Sequence, residues 1–455
     1  MSKIKKILSV ILTLVFTGLF LMGASYVTRD KSGDAKVADF YDDPSLYDVY
    51  ILGSSHALMG LLPLEMWEAE GITSYNLANY GQAIPVDYWV MRNAVKQHKP
   101  ELVLIDVYTV FFDEKYSHFH MGYLHQSLDT MPMSKLKLDA LEDLLDDGEN
   151  HLEMYMPFSF YHSRWDSLTT DDLKPVEHEV QFGADVDQRI AGYRNGIDPE
   201  SADRITFPFG DYDLLPEDEK AAPPDVSTEY VRKMIEFCQS EEIEVVLTSC
   251  PMYLTEDKQR YLNSIADLAD EYGVPFINGV RIDVVDYHTD MFDSGHLNSS
   301  GARKWSRYMA EFLVNEFGLT DHRGDSDFDI FDENSEAQSE ADNEFLSQNK
   351  SLYGCLVMAS DPQYRVCIAI AGGSSAFEDD EIRLLINNID GLDVTAEEWD
   401  YREGLIVDNG VDCGVSSSDA DIIIEVYDLN GQAVTECLFV EDYNGIDGFT
   451  RIIEK

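Results

Sequence analysis

The chain predicts an α/β fold, in which a parallel sheet carries helices on both faces. A membrane-length apolar helix precedes it and a smaller β-rich unit follows. Three observations carry this. Strand-like runs at 48–52, 74–77, 102–108, 244–249 and 274–277 alternate with helical patterns, which is the order that builds parallel sheets. One apolar run opens the chain. Four further strand-like runs, at 364–370, 404–407, 421–427 and 434–440, crowd the last hundred residues.

At 455 residues, two folded units plus an anchor are expected. The spans read as 1–30 for the anchor, 31–320 for a main domain with an insertion at 112–225, 321–350 for an acidic linker and 351–455 for the β-rich module. A hydrophobic fraction of 44% supplies a core and excludes global disorder. The formal net charge of -53 repels phosphate backbones, so nucleic acid is excluded as a partner. Its plainest meaning is solubility or salt tolerance.

Lys3, Lys5 and Lys6 precede the apolar run Ile7 to Val27, which is long enough to cross a bilayer. Positive charge ahead of the run puts the amino terminus in the cytoplasm and the body outside. The run is long for a signal core, and Met22-Gly23-Ala24 fits a cleavage site only in part, which favours an uncleaved single-pass anchor. Residues 28–45 read as a polar spacer.

Helical periodicity marks 88–97, 229–240 and 258–272, the last through Tyr261, Leu262, Ile265, Leu268 and Ala269. A further helix over 300–317 has Asn298, Ser299 or Ser300 as its cap. The insertion holds a helix around 134–145 and three neighbouring histidines, His118, His120 and His125. Surface or packing roles are commoner for such histidines than metal binding. The polar, acidic stretch 320–348 reads as a flexible linker. In the last unit, Asn430-Gly431 is a hairpin signal, Asn409-Gly410 a turn, and 379–389 a helix interrupting a β-rich sandwich. Four of the six cysteines (Cys355, Cys367, Cys413, Cys437) lie there, enough for up to two bridges in three possible connectivities. Cys238 and Cys250 read as buried apolar residues, and no cysteine spacing suits zinc.

The chemistry concentrates in two short segments. Gly53-Ser54-Ser55-His56 follows a strand-like run, and Asp293-Ser294-Gly295-His296 precedes a helix. A serine hydroxyl becomes nucleophilic only when a base takes its proton and a third group orients that base. Ser55, His296 and Asp293 supply those roles at element ends, where open α/β sheets place their sites.

Gly-Ser-Ser-His and Asp-x-x-His resemble the first and last blocks of the SGNH/GDSL hydrolase superfamily, over roughly residues 40–320. Asn76 to Gln82 is similar to its second block. The segment Pro157 to Trp165 resembles bacterial membrane-anchored SGNH-like acyltransferases of polysaccharide or teichoic-acid acylation. The resemblance implies a flavodoxin-like fold and an oxyanion hole from the backbone N–H groups of Ser55 and Gly81, with no cofactor and no metal. It also implies O-acyl, chiefly acetyl, transfer to an exported polysaccharide, with a membrane-bound O-acyltransferase as partner. Two departures stand out. Ser54 and His56 flank the nucleophile where Asp and Leu are usual, and 102–108 lacks the asparagine of the third block. One oxyanion donor is thus unassigned, with Asn79 or Gln82 as its replacement. His56, Gln82 and Arg164 are candidate substrate-binding residues, Arg164 as a sugar or carbonyl clamp or as a packed, salt-bridged arginine. A carbohydrate esterase and an inactive glycan-binding protein are the alternatives.

Overall fold

The computed structural model describes residues 3–29, 31–118, 120–146, 151–174, 213–287, 289–392, 394–414, 420–442, 444–445 and 448–452. Its first helix, α1 (Lys3–Thr28), is apolar after its three leading lysines, and none of its most hydrophobic stretch is buried. By length and composition it suffices to cross a membrane.

The expected polar spacer is instead a second helix, α2 (Ser32–Asp42). Phe40 gives the reason: its ring is buried against Tyr47, Tyr50 and Tyr75, with centroids 5.0 to 6.1 Å away. Burying one such ring outweighs the polar composition around it.

Five strands form a wholly parallel sheet: β1 (Val49–Leu52), β2 (Ser74–Asn76), β3 (Leu102–Asp106), β4 (Glu244–Ser249) and β5 (Phe276–Asn278). Their order is β2-β1-β3-β4-β5, as in flavodoxin-like sheets. The chain winds one way from β1 to β2 and the other way from β3 onward. That opens a crevice beyond the carboxyl ends of β1 and β3.

Helices cover both faces because strand side chains alternate. Tyr50, Leu52, Val103, Ile105, Val245 and Leu247 pack under α5 (Ile84–Gln97) and two later helices, α9 (Asp225–Ser240) and α10 (Glu256–Tyr272). Val49, Ile51, Leu104 and Val246 pack under α3 (Ser55–Gly60), α4 (Pro63–Glu70) and α11 (Ser299–Phe317). Between α5 and α9 come α6 (Met121–Leu128), α7 (Lys135–Leu144) and α8 (His151–Tyr155), which share a cluster with Val86 and Trp89 of α5. Residues 175–212 of the expected insertion lie outside the described residues.

The expected linker is also a helix. α12 (Asp329–Gln348) stacks Phe331 on Trp67 at 4.9 Å, and it buries Asp342 against Arg303 of α11. Its acidic face is solvated, while a few residues with distant partners hold it in place.

The last unit is a single antiparallel sheet with helices, where a sandwich was expected. Its strands are β6 (Tyr364–Ala371), β7 (Gly404–Asp408), β8 (Ile422–Asp428), β9 (Ala433–Glu441) and β10 (Phe449–Ile452), ordered β10-β9-β8-β6-β7. α13 (Leu352–Ala359), α14 (Asp380–Asn387) and α15 (Ala396–Tyr401) supply the apolar cover that a second sheet would have given. Asn430-Gly431 turns β8 into β9, with Gly431 at φ 78°. Cys367 and Cys413 form a disulfide. Cys355 and Cys437 are buried and not in one, so a second bridge is not formed.

Candidate active site

Gly53 positions Ser55, the expected nucleophile. It ends β1 at φ 145°, and a Cβ there would lie 2.8 Å from Cβ of Asp106 and 2.9 Å from that of Ala57. Only glycine fits both the conformation and the space. The sharp turn lets α3 start at once, with Ser54 in the cap position and Ser55 in the first turn. Ser54 is buried and bonds His56 Nδ1 at 3.2 Å, while Ser55 keeps its hydroxyl at the surface of the crevice.

His296, the expected base, arrives on a short loop stapled at both ends. Met291 and Leu297 bridge in antiparallel fashion, and Phe292 N–H donates to the His296 carbonyl at 2.8 Å. Asn298 then caps α11, accepting from Gly301 N–H at 3.0 Å and donating to the Thr289 carbonyl at 2.7 Å. Within the loop, Asp293 Oδ1 accepts from Gly295 N–H at 2.7 Å and His296 N–H at 2.9 Å. Both carboxylate oxygens lie 2.9 Å from His296 Nδ1. His296 Nε2 lies 2.8 Å from Ser55 Oγ.

An unbroken hydrogen-bonded series therefore runs from Asp293 through His296 to Ser55. Half-burial of the Asp293 carboxyl raises its pKa. The donors from His296 and Gly295 outweigh that and hold it below the ordinary value. The ionised acid in turn keeps the proton on Nδ1, leaving Nε2 to accept from the serine.

His56, a candidate substrate-binding residue, is sandwiched between two rings. Tyr108 stacks on one side at 3.5 Å and His296 on the other at 4.6 Å. Burial, followed by the neighbouring His296, pushes its pKa well below the ordinary imidazole value, so it is neutral. Its Nε2 is buried and makes no hydrogen bond among the described residues; a Cβ on Gly295 would come within 3.0 Å of it.

The loop after β2 runs beside the nucleophile. Asn79 N–H donates to the Gly53 carbonyl at 3.2 Å, and Asn76 ties the loop down through the Ala57 and Leu61 carbonyls. Gly81 has φ 57°, and the Tyr123 ring lies so close that a Cβ on Gly81 would overlap it at 2.4 Å. Asn79 is buried, and its Oδ1 accepts from Tyr80 N–H at 3.0 Å.

Two candidates have other partners. The Gln82 amide is buried and donates to Asp87 Oδ1 at 2.6 Å and to the Leu77 carbonyl at 3.2 Å. Its role is to satisfy a wholly buried carboxylate, which also accepts from Gly53 N–H at 3.1 Å. Arg164 is likewise not brought to the triad. Its guanidinium donates to the Thr28 and Arg29 carbonyls at 2.9 and 2.6 Å and pairs with Asp172 at 2.9 Å. It closes the end of α1, whose last carbonyls need donors.

Asp106 is structural, with Oδ1 accepting from Tyr108 N–H and Oδ2 from Cys250 N–H, both at 3.0 Å. Burial raises it to about 6. Asp87 and Tyr108 escaped the sequence reading. The available signal was an acid on the buried side of the 84–97 helix. His125 is buried, bonded to Asp129 at 3.0 Å and stacked on Phe160. Among the described residues no cluster suited to holding a metal ion occurs.

No family model and no curated protein matches the sequence. Among solved structures, a protein from Bacteroides fragilis NCTC 9343, proposed to be an acylhydrolase, aligns over 63% of this chain and 98% of its own. Identity is 11% and the TM-score 0.30, too low to carry any argument about this chain.

Proposed function

We propose that this chain is an SGNH-like serine enzyme, anchored by α1 with its body outside the cell. In this reading it moves an acyl group, chiefly acetyl, onto a cell-surface or exported polysaccharide. The observation that supports this best is the hydrogen-bonded series from Asp293 through His296 to Ser55.

His296 Nε2 takes the Ser55 proton as Oγ attacks the acyl carbonyl. The tetrahedral oxyanion is met by backbone N–H groups of the Ser55 turn and the Gly81 loop, each such donor being worth about 3 kcal/mol of barrier. His296 then returns the proton to the leaving oxygen, and an acyl-serine remains. A sugar hydroxyl, deprotonated by the same imidazole, attacks next and regenerates Ser55. Asp293 holds the ring and stabilises its charged form throughout. Neutral His56 would act through ring packing on His296. A membrane-bound O-acyltransferase is the proposed source of the acyl group.

Ester hydrolysis is the second reading. It is favoured by the openness of the triad, where the Asp293 side chain is 40% exposed and water has access. The test is the full-length chain in detergent with an activated acetyl ester and a panel of neutral oligosaccharides, followed by mass spectrometry. Acetylated sugar that disappears in Ser55→Ala supports transfer, and acetate alone supports hydrolysis. Neither product above the Ser55→Ala level would leave a glycan-binding protein.

A further inference from the structure

We propose that residues 151–174 form a second membrane-contacting element, a collar that seats in the outer lipid interface around the end of α1. This rests on the reading of α1 as a membrane-spanning helix.

The placement follows from where that helix must leave the hydrocarbon. Ile7 to Val27 is about 31 Å of helix at about 1.5 Å per residue, matching a hydrocarbon core of about 30 Å. Its outer boundary therefore falls within a turn of Val27. The collar is bonded to that turn. Phe158 N–H donates to Ser25 Oγ at 3.2 Å, and Tyr26 hydroxyl donates to the Lys174 carbonyl at 3.3 Å. Arg164 grips the Thr28 and Arg29 carbonyls. Whatever surrounds the helix at Ser25 also surrounds Phe158 and its neighbours.

The collar's surface suits a lipid interface. The Trp165 ring lies edge-on to Phe158 at 6.2 Å and is 55% exposed, while Leu152 and Leu173 are 58% and 66% exposed. Trp and Tyr prefer the headgroup level, where one end of the ring is apolar and the other wet. Three acids in and beside the segment are paired, Asp172 with Arg164, Asp171 with Lys174 and Asp34 with Arg29, which leaves Glu153 and Asp166 as the segment's acids outside these pairs. The collar also reaches the catalytic crevice: His125 of α6 stacks on Phe160 at 4.0 Å, and Tyr123 of the same helix covers Gly81. A seated collar would hold the acyl-receiving mouth close to the bilayer surface.

Tryptophan fluorescence reads this directly. Trp67, Trp89, Trp305 and Trp399 are all at most 7% exposed, so Trp165 is the one tryptophan that lipid can touch. The full-length protein is reconstituted into phosphatidylcholine vesicles whose acyl chains carry bromine either near the headgroup or near the methyl end. Flotation and quenching are both measured. The expected result is flotation with the vesicles and loss of roughly the Trp165 share of the emission. Quenching is stronger with the shallow bromines and absent in Trp165→Phe. Flotation without Trp165-dependent quenching overturns the collar while leaving α1 as an anchor. The same holds if Trp165 is shielded by a second copy of the chain. No flotation overturns the spanning reading and the collar with it. Ser55-dependent acyl chemistry, assayed separately, is unaffected by either failure.

Discussion

Two clusters of acids and bases lie along α11, and they treat the same chemical groups in opposite ways. At its amino end, Asp293 is half-exposed, receives several hydrogen bonds and titrates below the ordinary value. Along its body, Arg303 is buried among Glu65, Asp342 and Asp361, with Arg307 also on Glu65 at 3.1 Å. There Asp342 is pushed up to about 7, because burial outweighs the single nearby guanidinium shared with two other acids. The charge state of a carboxylate is set by the donors available per acid and by access to water. The first arrangement keeps an acid ionised to orient an imidazole. The second joins the two units of the molecule, since Glu65 belongs to the first unit and Asp361 to the last. In the proposed reading, ionic contact serves chemistry in one place and assembly in the other.

The sharpest break in the comparison is Ser55→Ala or His296→Ala. Either should lower acyl-group turnover by about 10^5- to 10^6-fold, while the unfolding midpoint stays close to wild type. Esterase assay and thermal melts of the same preparations check both halves. The opposite pattern is expected at Arg303. Arg303→Met removes the guanidinium shared by buried Glu65, Asp342 and Asp361 and should destabilise the fold by about 3–5 kcal/mol. Turnover per folded molecule should remain near wild type, which denaturant titration alongside active-site counting would reveal.

Acidity sharpens the contrast further. Asp342 binds its proton more tightly folded than unfolded, so its contribution to stability is fully present below about pH 4. It is then lost as pH rises through about 7. Asp293 has the opposite sign: its contribution is present above the ordinary carboxylate value and lost as pH falls through its depressed one. Unfolding free energies of wild type and Asp342→Asn across this window should differ in slope, with the variant flatter between about pH 4 and pH 7. The smallest effect is expected at Gln82. Gln82→Met leaves Asp87 short of a donor and should cost about 1–3 kcal/mol of stability with little change in turnover. A selective loss of turnover would return Gln82 to the substrate.

The same contrast explains what the sequence made legible. The grouping of Ser55, His296 and Asp293 was readable because the proposed chemistry demands particular residue types at element ends, and because Asp293 and His296 are close in the chain. The parallel strands were readable as apolar runs between helical patterns. The helix at 329–348 was not, because its composition is that of a solvated linker. What folds it is Phe331 on Trp67 and Asp342 on Arg303, partners far away in sequence. The partners of Gln82 and Arg164 were hidden for the same reason. Each is polar and near a motif, but Asp87 and the carbonyl end of α1 claim their hydrogen bonds. Over the last sheet the helix near 379–389 was readable, while those at 352–359 and 396–401 were hidden by the strength of the strand pattern around them.

The most direct test of the account is covalent labelling of the full-length chain with a fluorophosphonate, followed by peptide mapping. Attack by an activated serine should place the label on Ser55 and nowhere else, and labelling should collapse in His296→Ala and slow markedly in Asp293→Asn. An unlabelled Ser55 in folded protein, or labelling that ignores His296, would contradict the reading of these three residues as a working nucleophile, base and orienting acid.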